Sequence, residues 1–144
     1  MHVAAVLKRK GSRIVTTSPG ERIAAVARTL SQNHIGAVLV MEDDGSPAGI
    51  LSERDIVRAV AAEGPAVLER TAAELMTREL VTGRLTDTMS QIMSVMTERR
   101  IRHIPILEDG RVVGLVSIGD AVKTRLDDAE LEVESLRGYV AGMR

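Results

Sequence analysis

The chain has no cysteine, no phenylalanine and no tryptophan, and its one aromatic residue is Tyr139. Without cysteine there is no disulfide, no thiolate nucleophile and no Cys-ligated zinc. Without a row of rings there is no stacking platform for single-stranded nucleic acid. A net charge of −1 gives no basic footprint for a duplex either. No apolar run approaches the roughly 20 residues of a transmembrane helix. The opening run, Met1 to Leu7, is too short for a signal peptide, and its basic cluster Lys8-Arg9-Lys10 follows rather than precedes it. These absences lead us to expect a cytoplasmic protein that engages neither nucleic acid nor membrane. What is present is 44% hydrophobic residues over 144 positions, enough for one ordinary domain or two very small ones sharing a core. That core must be built from Val, Ile, Leu, Met and Ala.

The chain repeats itself. Residues 14–43 align on 80–109 without a gap, at an offset of 66; after one extra residue, Asp44, residues 45–60 align on 110–125. Identical pairs include Val15/Val81, Ile35/Ile101, Gly45/Gly110, Gly49/Gly114, Ser52/Ser117 and Asp55/Asp120, and most other pairs trade like for like. Two unrelated helices would share periodicity, but not glycines and acids in register.

Each copy reads as strand, helix, strand, strand, helix. In the first, Ile14–Thr17 is a short strand. Ser18-Pro19-Gly20-Glu21 has the pattern of a capped helix start, and Ile23, Val26, Ala27 and Leu30 then line one helical face. Met89, Ile92, Met93 and Met96 take that face in the second copy. The β-branched run Ala37–Met41, a turn at Asp43–Pro47, a strand at Ala48–Leu51 and a helix from Glu53 to about Ala62 follow. Each unit is too small to bury both faces of its sheet. The expected fold is therefore α+β: two tandem repeats packed sheet to sheet with pseudo-two-fold symmetry, plus a C-terminal helix. The boundaries read as repeat 1 over 1–62, a helical linker over 63–75, repeat 2 over 76–126 and a separate amphipathic helix over 127–144. In that last helix Ala129, Val133, Leu136, Val140 and Met143 recur at steps of four and three, the seam of a helix that pairs with another.

The most pointed motif is Gly49-Ile50-Leu51-Ser52-Glu53-Arg54-Asp55, repeated as Gly114-Leu115-Val116-Ser117-Ile118-Gly119-Asp120. Ser-x-x-Asp ahead of a helix is a capping pattern that satisfies orphan amides. It also suits a ligand, because a helix N-terminus attracts phosphate and an adjacent Asp accepts bonds from paired ribose hydroxyls. The residues alone leave both readings open. His2, His34 and His103 are scattered without metal-ligand spacing, so no metal site is expected, and His34 reads as a dipole partner at a helix C-terminus. With no phosphate loop and no nucleophile-base set, the chain is not read as an enzyme.

Over 14–125 the sequence resembles a pair of CBS domains, the modules of the gamma subunit of AMP-activated kinase and of IMP dehydrogenase. The resemblance rests on Gly-x-x-Ser-x-x-Asp twice, on the run Arg102 to Gly110, and on Met76-Thr77 before the second copy. It implies a nucleotide in each cleft between the repeats, with a ribose-binding Asp from one repeat and an adenine seat from the other. Carried over, Ser52, Arg54 and Asp55 face Thr77, Leu80, Val81, Ile101, Arg102, His103 and Ile104. Ser117 and Asp120 face Ile14, Val15, Ile35, Gly36, Ala37 and Val38. Arg102 and His103 stand where family members contact phosphate. The first copy has Gly36-Ala37-Val38-Leu39 there instead, leaving Lys10 or Arg13 as substitutes. The implied ligand is an adenine nucleotide, AMP first, with ATP, ADP and NAD(H) as the others. The implied assembly is a homodimer that acts on an unidentified effector protein. The alternative is a structural dimerisation adaptor that binds no ligand.

Overall fold

The computed structural model describes residues 1–11 and 13–142. The element order is α1 (Val3–Lys10), β1 (Thr16–Thr17), α2 (Ile23–Asn33), β2 (Ala37–Met41), β3 (Pro47–Ser52), α3 (Glu53–Glu63), a 3₁₀ turn (Pro65–Glu69), α4 (Ala72–Leu75), α5 (Met89–Arg99), β4 (His103–Glu108), β5 (Arg111–Ser117) and α6 (Ile118–Gly142). The repeat is structural: β1-β2-β3 forms one sheet and β4-β5 the other. β1 runs parallel to β2, and each hairpin is antiparallel with an irregularity at the same place, Val40/Met41 and Ile106/Leu107. The second counterpart of β1 shrinks to one parallel bridge, Gly83 to Ile106. β2 is buried on both faces, since the successive residues Ala37, Val38, Leu39 and Val40 are all buried.

Two apolar clusters fill the molecule, and the connecting segments have crossed over between them. Val3, Val6 and Leu7 of α1, at the head of the first repeat, pack with Met89, Ile92, Met96, Ile104 and Ile106 of the second. Val67 and Ala72 of the linker, with Met76 at the head of the second repeat, pack with Ile23, Val26, Leu30, Val38 and Leu51 of the first.

The same exchange corrects the expected start of α2. Ser18–Glu21 forms a turn, closed by Glu21 N–H donating to Ser18 O, and the helix begins at Ile23 behind Arg22 with no side-chain cap. Its first amide is satisfied by the linker instead: Ile23 N–H donates to Arg70 O at 2.8 Å, while Ala72 N–H and Ala73 N–H donate back to Glu21 O and Pro19 O. The second copy repeats this geometry with the N-terminus in the linker's role. Met89 N–H donates to Met1 O, and Val3 N–H and Ala4 N–H donate to Asp87 O and Leu85 O. Here a side-chain cap is added, because Thr88 and Gln91 close a capping box.

The C-terminal segment also differs from expectation. No new helix starts at Asp127; α6 is continuous from Ile118, since nothing between Leu126 and Ala129 breaks a helix. Met143 of the expected seam lies outside the described residues. No described helix is long and apolar enough to cross a membrane.

Candidate functional site between the repeats

Both Ser-x-x-Asp motifs sit where a strand turns directly into a helix, β3 into α3 and β5 into α6. The leading glycine is fixed by packing. A Cβ on Gly49 would lie 2.7 Å from Met76 Sδ and 2.7 Å from Thr77 O, and one on Gly114 would lie 2.5 Å from Leu7 Cδ1. Each glycine therefore lets the exchanged segment lie flat on its strand.

The Ser and Asp then close a capping box. Ser52 N–H donates to Asp55 Oδ2 at 2.9 Å and Asp55 N–H to Ser52 Oγ at 3.2 Å; the second copy has 2.8 Å and 3.2 Å for Ser117 and Asp120. Capping uses one carboxylate oxygen. Oδ1 of each Asp takes no hydrogen bond among the described residues, which leaves an acceptor for something else.

A cavity of about 580 Å³ opens beside Asp55, within the range of small-ligand sites. Ser52, Arg54, Asp55, Thr77, Leu80, Val81, Ile101, Arg102 and His103 all line it. Ile104 does not: it is fully buried in the second repeat's core, because alternation along β4 turns it to the face opposite His103. The cavity also takes in Arg58 and Arg100, which the sequence reading missed. Arg58 lies one helical turn beyond Asp55 on α3, a spacing that could have revealed it. Arg100 caps α5 in the left-handed region (φ 56°), as His34 caps α2 (φ 54°). Arg54, Arg58, Arg100 and Arg102 face Glu53, Asp55 and Glu79 around the cavity, and none of the four arginines is in an ion pair among the described residues. The lining thus carries four cations against three acids, with unspent arginine donors among the described residues.

The second cleft is smaller, about 310 Å³, and is lined by Lys10, Ile14, Val15, Ile35, Gly36, Ala37 and Ser117, with Arg13, His34, His103 and Leu115 besides. Val38 is absent from it. Like Ile104, it is fully buried in its repeat's core. Asp120, expected in this cleft, is not among its lining residues either: Lys10, which is, donates from Nζ to Asp120 Oδ2 at 2.6 Å and covers it. Burial pushes the Asp120 carboxyl up, but the Lys10 ammonium and the Ser117 amide outweigh it and hold the group below its ordinary value. His34 is more than a dipole partner at a helix end: it is the capping residue itself and lines this cleft.

Gly36 and His103 line both cavities and so form the wall between them. A Cβ on Gly36 would touch His103 Cε1 at 3.4 Å and Glu53 Oε1 at 3.5 Å. Burial holds the His103 imidazole below its ordinary value, against the opposing pull of Glu53 and Asp120. Among the described residues no group of three or more His, Asp and Glu is arranged to hold a metal ion.

Comparison with known proteins agrees with this architecture. The sequence profile of the CBS domain matches residues 5–62 and 72–127. A CBS-domain containing protein of known structure from Agrobacterium tumefaciens is 44% identical, covering 86% of this chain and 92% of its own, with a TM-score of 0.84. The CBS domain-containing protein YhcV of Bacillus subtilis is 29% identical over 81% of this chain and 82% of its own length. The CBS domain pair of protein MJ0100, solved in complex with 5-methylthioadenosine and S-adenosyl-L-methionine, shares the fold at 24% identity, with 86% of this chain and 98% of that one covered and a TM-score of 0.77. With two matches in tandem and a solved relative of the same fold, this chain belongs to the CBS-domain family as a tandem pair.

Proposed function

We propose that this CBS pair is a regulatory module, without catalysis of its own, that takes an adenine nucleotide in the Asp55 cavity and acts as a homodimer on a partner protein. The observation that carries the reading is the pairing of an Asp55 oxygen and four arginines around one cavity, all without a partner among the described residues. Asp55 Oδ1 accepts from the ribose diol, while Arg102, Arg54 and their neighbours supply charge-assisted donors to phosphate. Thr77, Leu80, Val81 and Ile101 give the base an apolar seat. Adenosine-type ligands in the MJ0100 pair support the same chemistry here. AMP fits the balance of one diol acceptor and a short cationic rim best, ahead of ADP, ATP and NAD(H). The second cleft takes the less charged end of a dinucleotide, with Lys10 and Arg13 in place of the missing Arg-His pair. Ligand binding across the repeats favours one placement of the two, by its differential affinity for that placement.

The closed capping boxes favour a second reading, a dimerisation adaptor in which Ser52/Asp55 and Ser117/Asp120 serve their helices alone. Thermal shift and calorimetry with AMP, ADP, ATP and NADH separate the two. A ligand at 100 times its Kd adds about 2.7 kcal/mol of stability. Asp55→Ala should weaken AMP at least about tenfold, through loss of a charge-assisted bond of about 1.5–3 kcal/mol, while Asp120→Ala leaves the tighter site intact. Ser52→Ala, which removes a cap but keeps the carboxylate, is the control for helix stability. No shift with any of the four at millimolar concentration would leave the adaptor.

A further inference from the structure

Ala121 and Thr124 bury one side of α6 against the body. Beyond Asp128 the helix leaves the body, and every residue from Ala129 to Val140 is exposed. Along the side opposite Thr124, Val122, Leu126, Ala129, Val133, Leu136 and Val140 recur at alternating steps of four and three. This is the a/d seam of a heptad repeat, with no polar residue interrupting it. Leu126 is 59% exposed and Leu136 65% exposed, an apolar stripe that a lone helix in water does not keep without a use. Valine at a (Val133, Val140) beside leucine at d (Leu136) is the pattern that favours two strands.

The flanking charges select the occupant and its direction. With Leu126, Val133 and Val140 at a, Arg125 and Glu132 fall at g, and Glu130 and Arg137 at e. In a parallel pair each g side chain meets the e side chain of the next heptad across the seam. Arg125 then faces Glu130 of the second copy and Glu132 faces Arg137, each contact made twice by symmetry. The antiparallel arrangement of fullest overlap sets Glu130 against Glu130, Glu132 against Glu132 and Lys123 against Arg137. The face is self-complementary in one direction only.

We propose that the free half of α6 pairs with the same helix of a second copy as a parallel, in-register, two-stranded coiled coil. The proposal rests on the homodimer part of the reading above and not on its ligand. About three heptads are short for a free coil. Tethering to a body that also dimerises supplies the missing stability as effective concentration.

The absence of cysteine makes the test direct. In the full chain, Leu136→Cys places identical thiols across the two-fold axis, and mild oxidation should convert the protein to covalent dimer. Ser135→Cys, one residue away on the outer face, should not cross-link. Glu132→Arg and Arg137→Glu each bring like charges together in their own dimers. Mixed, they should exchange into a heterodimer above its statistical share by native mass spectrometry. Cross-linking of Leu136→Cys only when mixed with Leu126→Cys, equal cross-linking at 135 and 136, or random exchange of the charge variants overturns the parallel coil. A dimeric mass with no cross-link at 136 removes the coil and keeps the homodimer, whereas a monomeric mass removes both.

Discussion

Lys10 Nζ lies 2.6 Å from Asp120 Oδ2 and 2.9 Å from the Leu115 carbonyl oxygen, so the acid of the second cleft carries a cation that Asp55 lacks among the described residues. The last residue of the N-terminal helix thus reaches across to the second repeat's capping box, and the two clefts are electrostatically unequal. Lys10→Met removes the pair. The pair is partly solvent-exposed, so the loss of stability at neutral pH should be no more than about 1 kcal/mol. Asp120 has a folded-state value below its unfolded one, so its contribution is present above the ordinary carboxylate range and is lost as pH falls through the lowered value. Urea denaturation at a series of pH values should show the gap between wild type and Lys10→Met closing on the acid side. A gap that persists at the lowest pH would assign Lys10 a packing role instead.

The two motif glycines offer a graded comparison. Gly49→Ala meets the backbone oxygen of Thr77 as well as Met76, so the linker itself must shift. For Gly114→Ala the three nearest atoms all belong to the Leu7 side chain, which can rotate. Overpacking of this kind costs about 1–3 kcal/mol, and Gly49→Ala should lie at the upper end with Gly114→Ala below it. Equilibrium denaturation measures both, and the reverse order would mean that Leu7 is held more rigidly than the linker.

The crossed-over helix makes a non-local effect testable. Leu7 is buried among second-repeat residues, so Leu7→Ala should cost about 2 kcal/mol, the low end for such truncations because the site lies near the surface. Hydrogen exchange should speed up in α5, β4 and β5 while α2 and β2 are less affected. Preferential loss of protection in the first repeat, the nearer one in sequence, would contradict the packing.

His103 should give an acid limb near the ordinary histidine range. Its folded value is depressed by burial, so stability is complete above the unfolded histidine value and falls as pH drops toward the folded one. Glu53 and Asp120 pull the other way, and Lys10 and Arg102 add to the depression. His103→Gln should flatten the stability profile in that window. An unchanged slope would show that the carboxylates dominate it.

Much of this was legible in the sequence, for one reason: the repeat supplied an internal comparison. Gly49/Gly114, Ser52/Ser117 and Asp55/Asp120 in register marked the strand-to-helix turns, and apolar spacing located α2, α3 and α5. What escaped notice depends on contacts between distant segments. Ser18-Pro19-Gly20-Glu21 has the composition of a helix start, yet the linker backbone at Arg70 and Ala72 takes over the satisfaction of those groups and delays α2 to Ile23. Ile104 and Val38 stand beside cleft residues in the sequence, but strand alternation turns both inward. Arg58 and Arg100 reach the first cavity from a helix face and a helix end, which a motif-centred reading does not follow. The asymmetry between clefts was visible as Gly36-Ala37 opposite Arg102-His103; that Lys10 would fill the gap by gripping Asp120 required the fold.

The crossing of α1 and the linker bears on how such a molecule can arise and come apart. A lone repeat carrying its leading arm cannot complete its own core, because that arm belongs against the other repeat. Two unlinked repeats would have to trade arms to complete both cores. Joining them in one chain turns that exchange into an internal clasp, so the halves cannot drift apart while both arms stay seated, and whatever loosens an arm on one half is felt first by the other.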